Sequence, residues 1–67
     1  MSKMRETRMK MGLSLPDVAE RLGITPASVY YYESGKRNIP TDIAERYAKM
    51  VGKKVDDIFL PEKFTNR

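Results

Sequence analysis

The chain has 67 residues with no cysteine and no histidine. A single domain near the lower size limit must therefore stand on packed apolar faces, without disulfides or the usual zinc ligand sets. Thirteen Lys and Arg against nine Asp and Glu leave a formal charge of +4, which favours a nucleic-acid partner without deciding it. The charged start, "MSKMRETRMKMG", has no apolar export core, and no uncharged stretch approaches the length of a membrane span. A soluble cytoplasmic protein with no membrane partner is expected.

Turn residues cut the chain into short segments of helical periodicity. The first, about Lys3 to Met11, stops before Gly12 and would turn Met4, Arg8 and Met11 inward. An arginine within an apolar stripe needs a partner. In the second, Ser14 is the N-cap, Pro16 suits the first turn and Asp17 favours the positive end of the helix dipole. Leu15, Val18, Ala19 and Leu22 recur at i, i+3, i+4 and i+7, and Gly23 ends the helix. Thr25 then caps a third helix with Pro26 in its first position, running to about Ser34 before Gly35. Only Gly23, Ile24 and Thr25 separate these two helices, the mark of a helix-turn-helix.

After the basic loop "KRNIP", Thr41 is read as the cap of a fourth helix with Ile43, Ala44, Tyr47, Ala48 and Val51 inward. A short fifth, about Val55 to Phe59, buries Val55, Ile58 and Phe59. The expected fold class is all-α, a compact bundle of about five short helices. Residues 1–60 form the domain, and residues 61–67 a short C-terminal tail.

The stretch "GLSLPDVAERLGITPASVYYYESGKRNIP" resembles the Cro/CI-type, lambda-repressor-like helix-turn-helix family. The likeness rests on Gly12, Leu13, Ser14, Val18, Ala19, Gly23, Ile24, Thr25, Val29, Tyr32, Glu33, Gly35 and Pro40. It implies a DNA-binding bundle whose second and third helices form the motif, and an ion pair between Arg8 and Glu33 that ties the first helix to the third. Leu15 departs from the pattern, because the family usually places a phosphate-contacting glutamine there. Pro26 and Ala27 also stand where many relatives carry polar base-reading side chains.

In a helix-turn-helix the second helix of the pair enters the major groove, its N-terminal residues nearest the base edges. Val29 and Tyr32, three apart, share the inward face as the core of the recognition helix, about Pro26 to Ser34. Pro26, Ala27, Ser28 and Tyr31 are then the base-contacting candidates. Ala27 and the Tyr31 ring suit a thymine methyl, while Ser28 and the Tyr31 hydroxyl can hydrogen-bond. Tyr30 lies above Pro26 and either stacks on that ring or bonds a phosphate over the groove wall. Lys36, Arg37 and Asn38 are phosphate candidates that position without specifying. Ser14 and Leu15 would approach the same strand through backbone amides and the serine hydroxyl.

The expected function is a sequence-specific double-stranded DNA-binding transcriptional regulator, a small phage- or mobile-element-type repressor or Cro-like protein. A two-fold operator would require a homodimer, with the "NIP" loop, the fifth helix, the tail, and Phe59, Leu60 and Phe64 as candidate surfaces. The alternative is a protein-interaction module of the same fold, antitoxin-like or antirepressor-like. No enzyme is expected. The carboxylates Asp56 and Asp57 are adjacent and so lie on different helix faces, and there is no phosphate-binding glycine loop or metal-ligand spacing. No cofactor, metal or small-molecule substrate is implied.

Overall fold

A computed structural model describes residues 2–59 and the backbone of Phe64–Thr65. Among the described residues five helices follow in order: α1 (Lys3–Lys10), α2 (Leu15–Leu22), α3 (Pro26–Ser34), α4 (Thr41–Met50) and α5 (Val55–Ile58). The class is all-α, with one addition. Ile39–Pro40 (β1) lies parallel to Phe64–Thr65 (β2), Ile39 opposite Phe64 and Pro40 opposite Thr65. This pairing brings two residues of the C-terminal stretch back onto the loop before α4.

Local chemistry sets most boundaries. At α2, Ser14 and Asp17 form a reciprocal capping box. The Ser14 hydroxyl accepts from the Asp17 N–H at 3.1 Å, and the Asp17 carboxylate accepts from the Ser14 N–H at 2.9 Å. The Ser14 N–H, with help from the Ser14 side chain, holds the Asp17 carboxyl below the usual carboxylate range. The Thr25 hydroxyl accepts from the Ser28 N–H at 3.1 Å to open α3. Between them Gly23 adopts φ 70°, a left-handed conformation that costs a side-chain-bearing residue about 1–2 kcal/mol. With the chain reversed there, the Ile24 N–H reaches back to the Ala19 carbonyl at 3.0 Å.

The core is built from one face of each helix around Tyr47, which is fully buried with Val18, Val29 and Ala44. Burying side chains of this size contributes roughly 1.5–3 kcal/mol each for the larger ones. The Tyr47 hydroxyl donates to the Met4 carbonyl at 2.8 Å, stitching α4 to α1. Desolvation pushes the Tyr47 phenol up to about 12, with the nearby Glu33 charge adding to the rise. Phe59 packs edge-on against Tyr47, ring centroids 5.9 Å apart. That burial makes Phe59 part of the core and removes it as a dimer surface. Leu60 and the Phe64 side chain, also expected there, lie outside the described residues.

Two local expectations are corrected. Met11 is 51% exposed, because α1 ends at Lys10 and the chain turns at Met11 and Gly12 before the apolar stripe can extend. Thr7 fills the inward place, its hydroxyl donating to the Lys3 carbonyl at 2.8 Å. Thr41 is the first residue of α4 and does not cap it. Pro40, extended by its pairing with Thr65, is the N-cap and starts the helix one residue earlier.

Candidate nucleic-acid interface

α3 rests on α2 through Val29, which is fully buried, and through Tyr32, which is half-buried against the core. Glu33 continues the inward face and meets Arg8 of α1. The Arg8 Nε lies 2.6 Å from Glu33 Oε2, and Nη2 donates to Oε1 at 3.3 Å. Nη1 donates to the Leu13 carbonyl at 2.9 Å, so one guanidinium joins α1, the approach to α2 and the end of α3. The pair is largely shielded, with side-chain exposures of 12% for Arg8 and 3% for Glu33. It sets the angle at which α3 is presented.

The opposite face of α3 is open. Pro26 and Ala27 are exposed, Ser28 and Tyr31 are partly exposed, and Tyr30 is 51% exposed. Thr25 donates its hydroxyl proton to the Ser28 oxygen at 2.9 Å, leaving the Ser28 proton to donate outward. Tyr31 is held from two sides. The Tyr30 ring tilts against it at 6.0 Å between centroids, and the Arg37 guanidinium stands 5.1 Å from its ring centroid.

Residue spacing gives no sign of that Arg37 contact and puts Arg37 on the phosphates alone. Gly35, at φ 81°, folds the chain back over the last turn of α3. The Lys36 and Arg37 N–H groups then both point at the Tyr31 carbonyl, at 3.0 and 3.4 Å. The loop bearing Lys36, Arg37 and Asn38, all exposed, is thereby fastened to the residue that faces outward.

At the start of α2 the donors divide differently from expectation. The Ser14 N–H is taken by Asp17, so it cannot serve a phosphate while the capping box is closed. Pro16 has no N–H, and that of Asp17 is taken by Ser14. The Leu15 N–H remains, with no hydrogen bond to it among the described residues. Among the described residues there is no group of three or more His, Cys, Asp or Glu able to hold a metal ion, and no helix long and apolar enough to cross a membrane.

A family model described as helix-turn-helix matches residues 4–58. The chain belongs to that family. It is 42% identical over 53 residues to a Pyrobaculum aerophilum protein provisionally named an HTH-type transcriptional regulatory protein, a match covering 79% of this chain and 21% of that one. An uncharacterized HTH-type transcriptional regulator of Methanothermobacter thermautotrophicus is 33% identical over 57 residues, covering 84% of this chain and 83% of the relative. Another, from Archaeoglobus fulgidus, is 27% identical over 59 residues, covering 88% and 83%. The chain thus spans about a fifth of the first relative's length and most of the other two. No solved structure matches it. Within this helix-turn-helix chain α2 and α3 are the motif pair.

Proposed function

We propose that the protein is a sequence-specific double-stranded DNA-binding transcriptional regulator of the small repressor or Cro-like kind, acting in the cytoplasm. The observation that carries this reading is the open face of α3. Pro26, Ala27, Ser28 and Tyr31 line the outward side of a helix braced from behind by Arg8 and Glu33. The role is binding and not catalysis.

In this reading α3 lies in the major groove, with Ala27 and the Tyr31 ring against thymine methyls and Ser28 donating to a base edge or phosphate. Lys36, Arg37 and Asn38, with the Leu15 N–H, the Ser14 hydroxyl and the exposed Tyr30 hydroxyl, fix the register on the backbone. Residues 1–60 form the DNA-binding unit and residues 61–67 the C-terminal tail, whose Phe64–Thr65 backbone closes on β1. A homodimer on a two-fold operator follows from the need to place two such helices one helical turn apart.

Selecting bound duplexes from random DNA tests the reading. The expected result is an enriched half-site, repeated with two-fold symmetry, whose affinity falls with salt. Replacing Lys36 by alanine should weaken all sequences alike, and replacing either Lys36 or Arg37 should lower the salt slope by about one. Failure to retain any duplex at low salt would refute DNA binding and favour a protein partner for the same face.

A further inference from the structure

Most of the excess positive charge of this protein lies outside its helix-turn-helix. Residues 13–40 hold three cations, Arg21, Lys36 and Arg37, and three carboxylates, Asp17, Glu20 and Glu33. Residues 41–59 are also balanced, with Arg46, Lys49, Lys53 and Lys54 against Asp42, Glu45, Asp56 and Asp57. Residues 1–12 carry Lys3, Arg5, Arg8 and Lys10 against Glu6 alone; with the Arg8–Glu33 pair set aside they keep two units of the overall +4 and residues 13–40 keep one. Among the described residues Arg8 is the one cation in an ion pair, so Lys3, Arg5 and Lys10 are exposed charges without a carboxylate partner.

Two of these lysines are gathered by the fold. Lys3 and Lys10 of α1 and Lys53, just before α5, surround a concavity of about 420 Å³ floored by Thr7 and Ile58. Among the described residues its one carboxylate is Asp57, which accepts a hydrogen bond from the Lys54 N–H at 3.2 Å, so three ammoniums face one carboxylate. No residue of α2, α3 or the Lys36–Asn38 loop lines it. It is a cationic surface separate from the proposed reading face.

We propose that this α1–α5 face is a second nucleic-acid surface. It grips the phosphate backbone of a duplex segment other than the one that receives α3, so that one molecule bridges two segments. Lysine ammoniums are compact point charges suited to phosphates and are depleted at protein–protein interfaces, which favours a polynucleotide over an acidic protein. The body measures 27 × 22 × 22 Å, which sets the spacing between the two segments. With three lysines the contact is sequence-independent and steeply salt-sensitive. The proposal extends the DNA-binding reading of α3, and its test separates the two.

The experiment adds a short duplex of arbitrary sequence to isotope-labelled full-length protein at low salt and follows backbone amide shifts. Shifts in two groups are expected, one over α3 and the Lys36–Asn38 loop and one over Lys3, Lys10 and Lys53. The triple variant Lys3→Ala/Lys10→Ala/Lys53→Ala should keep the first group and lose the second. It should also lose at least tenfold of the wild-type capture of a second labelled duplex by protein bound to an immobilised one. Shifts over α3 alone overturn the second surface and leave the first reading standing. Shifts over the lysines alone support the second surface while removing the first reading, and no shifts remove both. Undiminished capture by the triple variant overturns bridging through this face, as does preference for an acidic peptide or an anionic vesicle over duplex at equal charge.

Discussion

Replacing Arg8 by alanine tests the brace behind α3. The substitution removes all three guanidinium hydrogen bonds, two to Glu33 and one to the Leu13 carbonyl. It leaves the Glu33 carboxylate, whose side chain is 3% exposed, without its counter-charge. Breaking a buried pair by removing one partner costs about 3–5 kcal/mol, and the lower end applies because Arg8 itself keeps some contact with water. A domain of this size has a total stability on the order of 3–10 kcal/mol, so the variant should sit near its unfolding threshold. At about 4–8 °C per kcal/mol, its midpoint should fall by roughly 12 °C or more. Urea and thermal unfolding followed by far-UV circular dichroism give the loss directly. Arg8→Met/Glu33→Leu, which removes both charges and keeps volume, should recover to within about 1 kcal/mol of the parent. A loss below about 1 kcal/mol in Arg8→Ala, the range of exposed pairs, would refute the argument that shielding makes this contact strong.

Three further outcomes are expected. Tyr31→Ala should keep the helical spectrum and midpoint but lose about 1–3 kcal/mol of discrimination between a selected duplex and a scrambled one; unchanged discrimination removes Tyr31 from base reading. The raised folded-state phenol of Tyr47 means that the folded protein keeps a proton which the unfolded chain releases near pH 10. Stability should therefore be intact below that value and fall by about 1.4 kcal/mol per pH unit as the pH rises towards 12. Tyr47→Phe should abolish that alkaline slope, and should cost about 1 kcal/mol at neutral pH through the lost bond to the Met4 carbonyl. The lowered folded-state carboxyl of Asp17 carries the opposite sign: its stabilisation is present above the unfolded value near pH 4 and disappears as the pH falls through the folded value. The stability gap between the parent and Asp17→Asn should thus hold constant from about pH 5 to 7 and narrow in acid.

What could be read from the residues and what could not divide along sequence distance. The caps of α2 and α3 follow from Ser14, Thr25, Pro26, Gly23 and Gly35, because a cap is a contact between residues three or four apart. The inward set on α4 was equally plain, since five apolar residues at helical spacing leave little choice. Thr41 was misplaced as a cap because the competing constraint, the pairing of Pro40 with Thr65, joins residues 25 apart in the chain. Met11 was misplaced because periodicity extends a stripe past the point where a glycine turn has already ended the helix. Arg8 signalled itself as an arginine in an apolar stripe, yet composition and periodicity alone could not name Glu33; the family resemblance did.

The Arg37 contact changes how the three consecutive tyrosines are understood. Each takes a different environment: Tyr32 half-buried against the core, Tyr30 exposed, and Tyr31 between the Tyr30 ring and the Arg37 guanidinium. In the proposed reading, a Tyr31 side chain that is already held loses less rotamer freedom on binding, which matters because residues 13–40, with Glu33 spent on Arg8, carry a single unit of positive charge to raise affinity. In that reading the same contact ties base reading to positioning. An Arg37 drawn to a phosphate must keep or leave the face of Tyr31, so Arg37→Ala should affect discrimination as well as the salt slope, whereas Lys36→Ala should affect the slope alone. Equal discrimination in the two variants would show that Arg37 serves only the backbone.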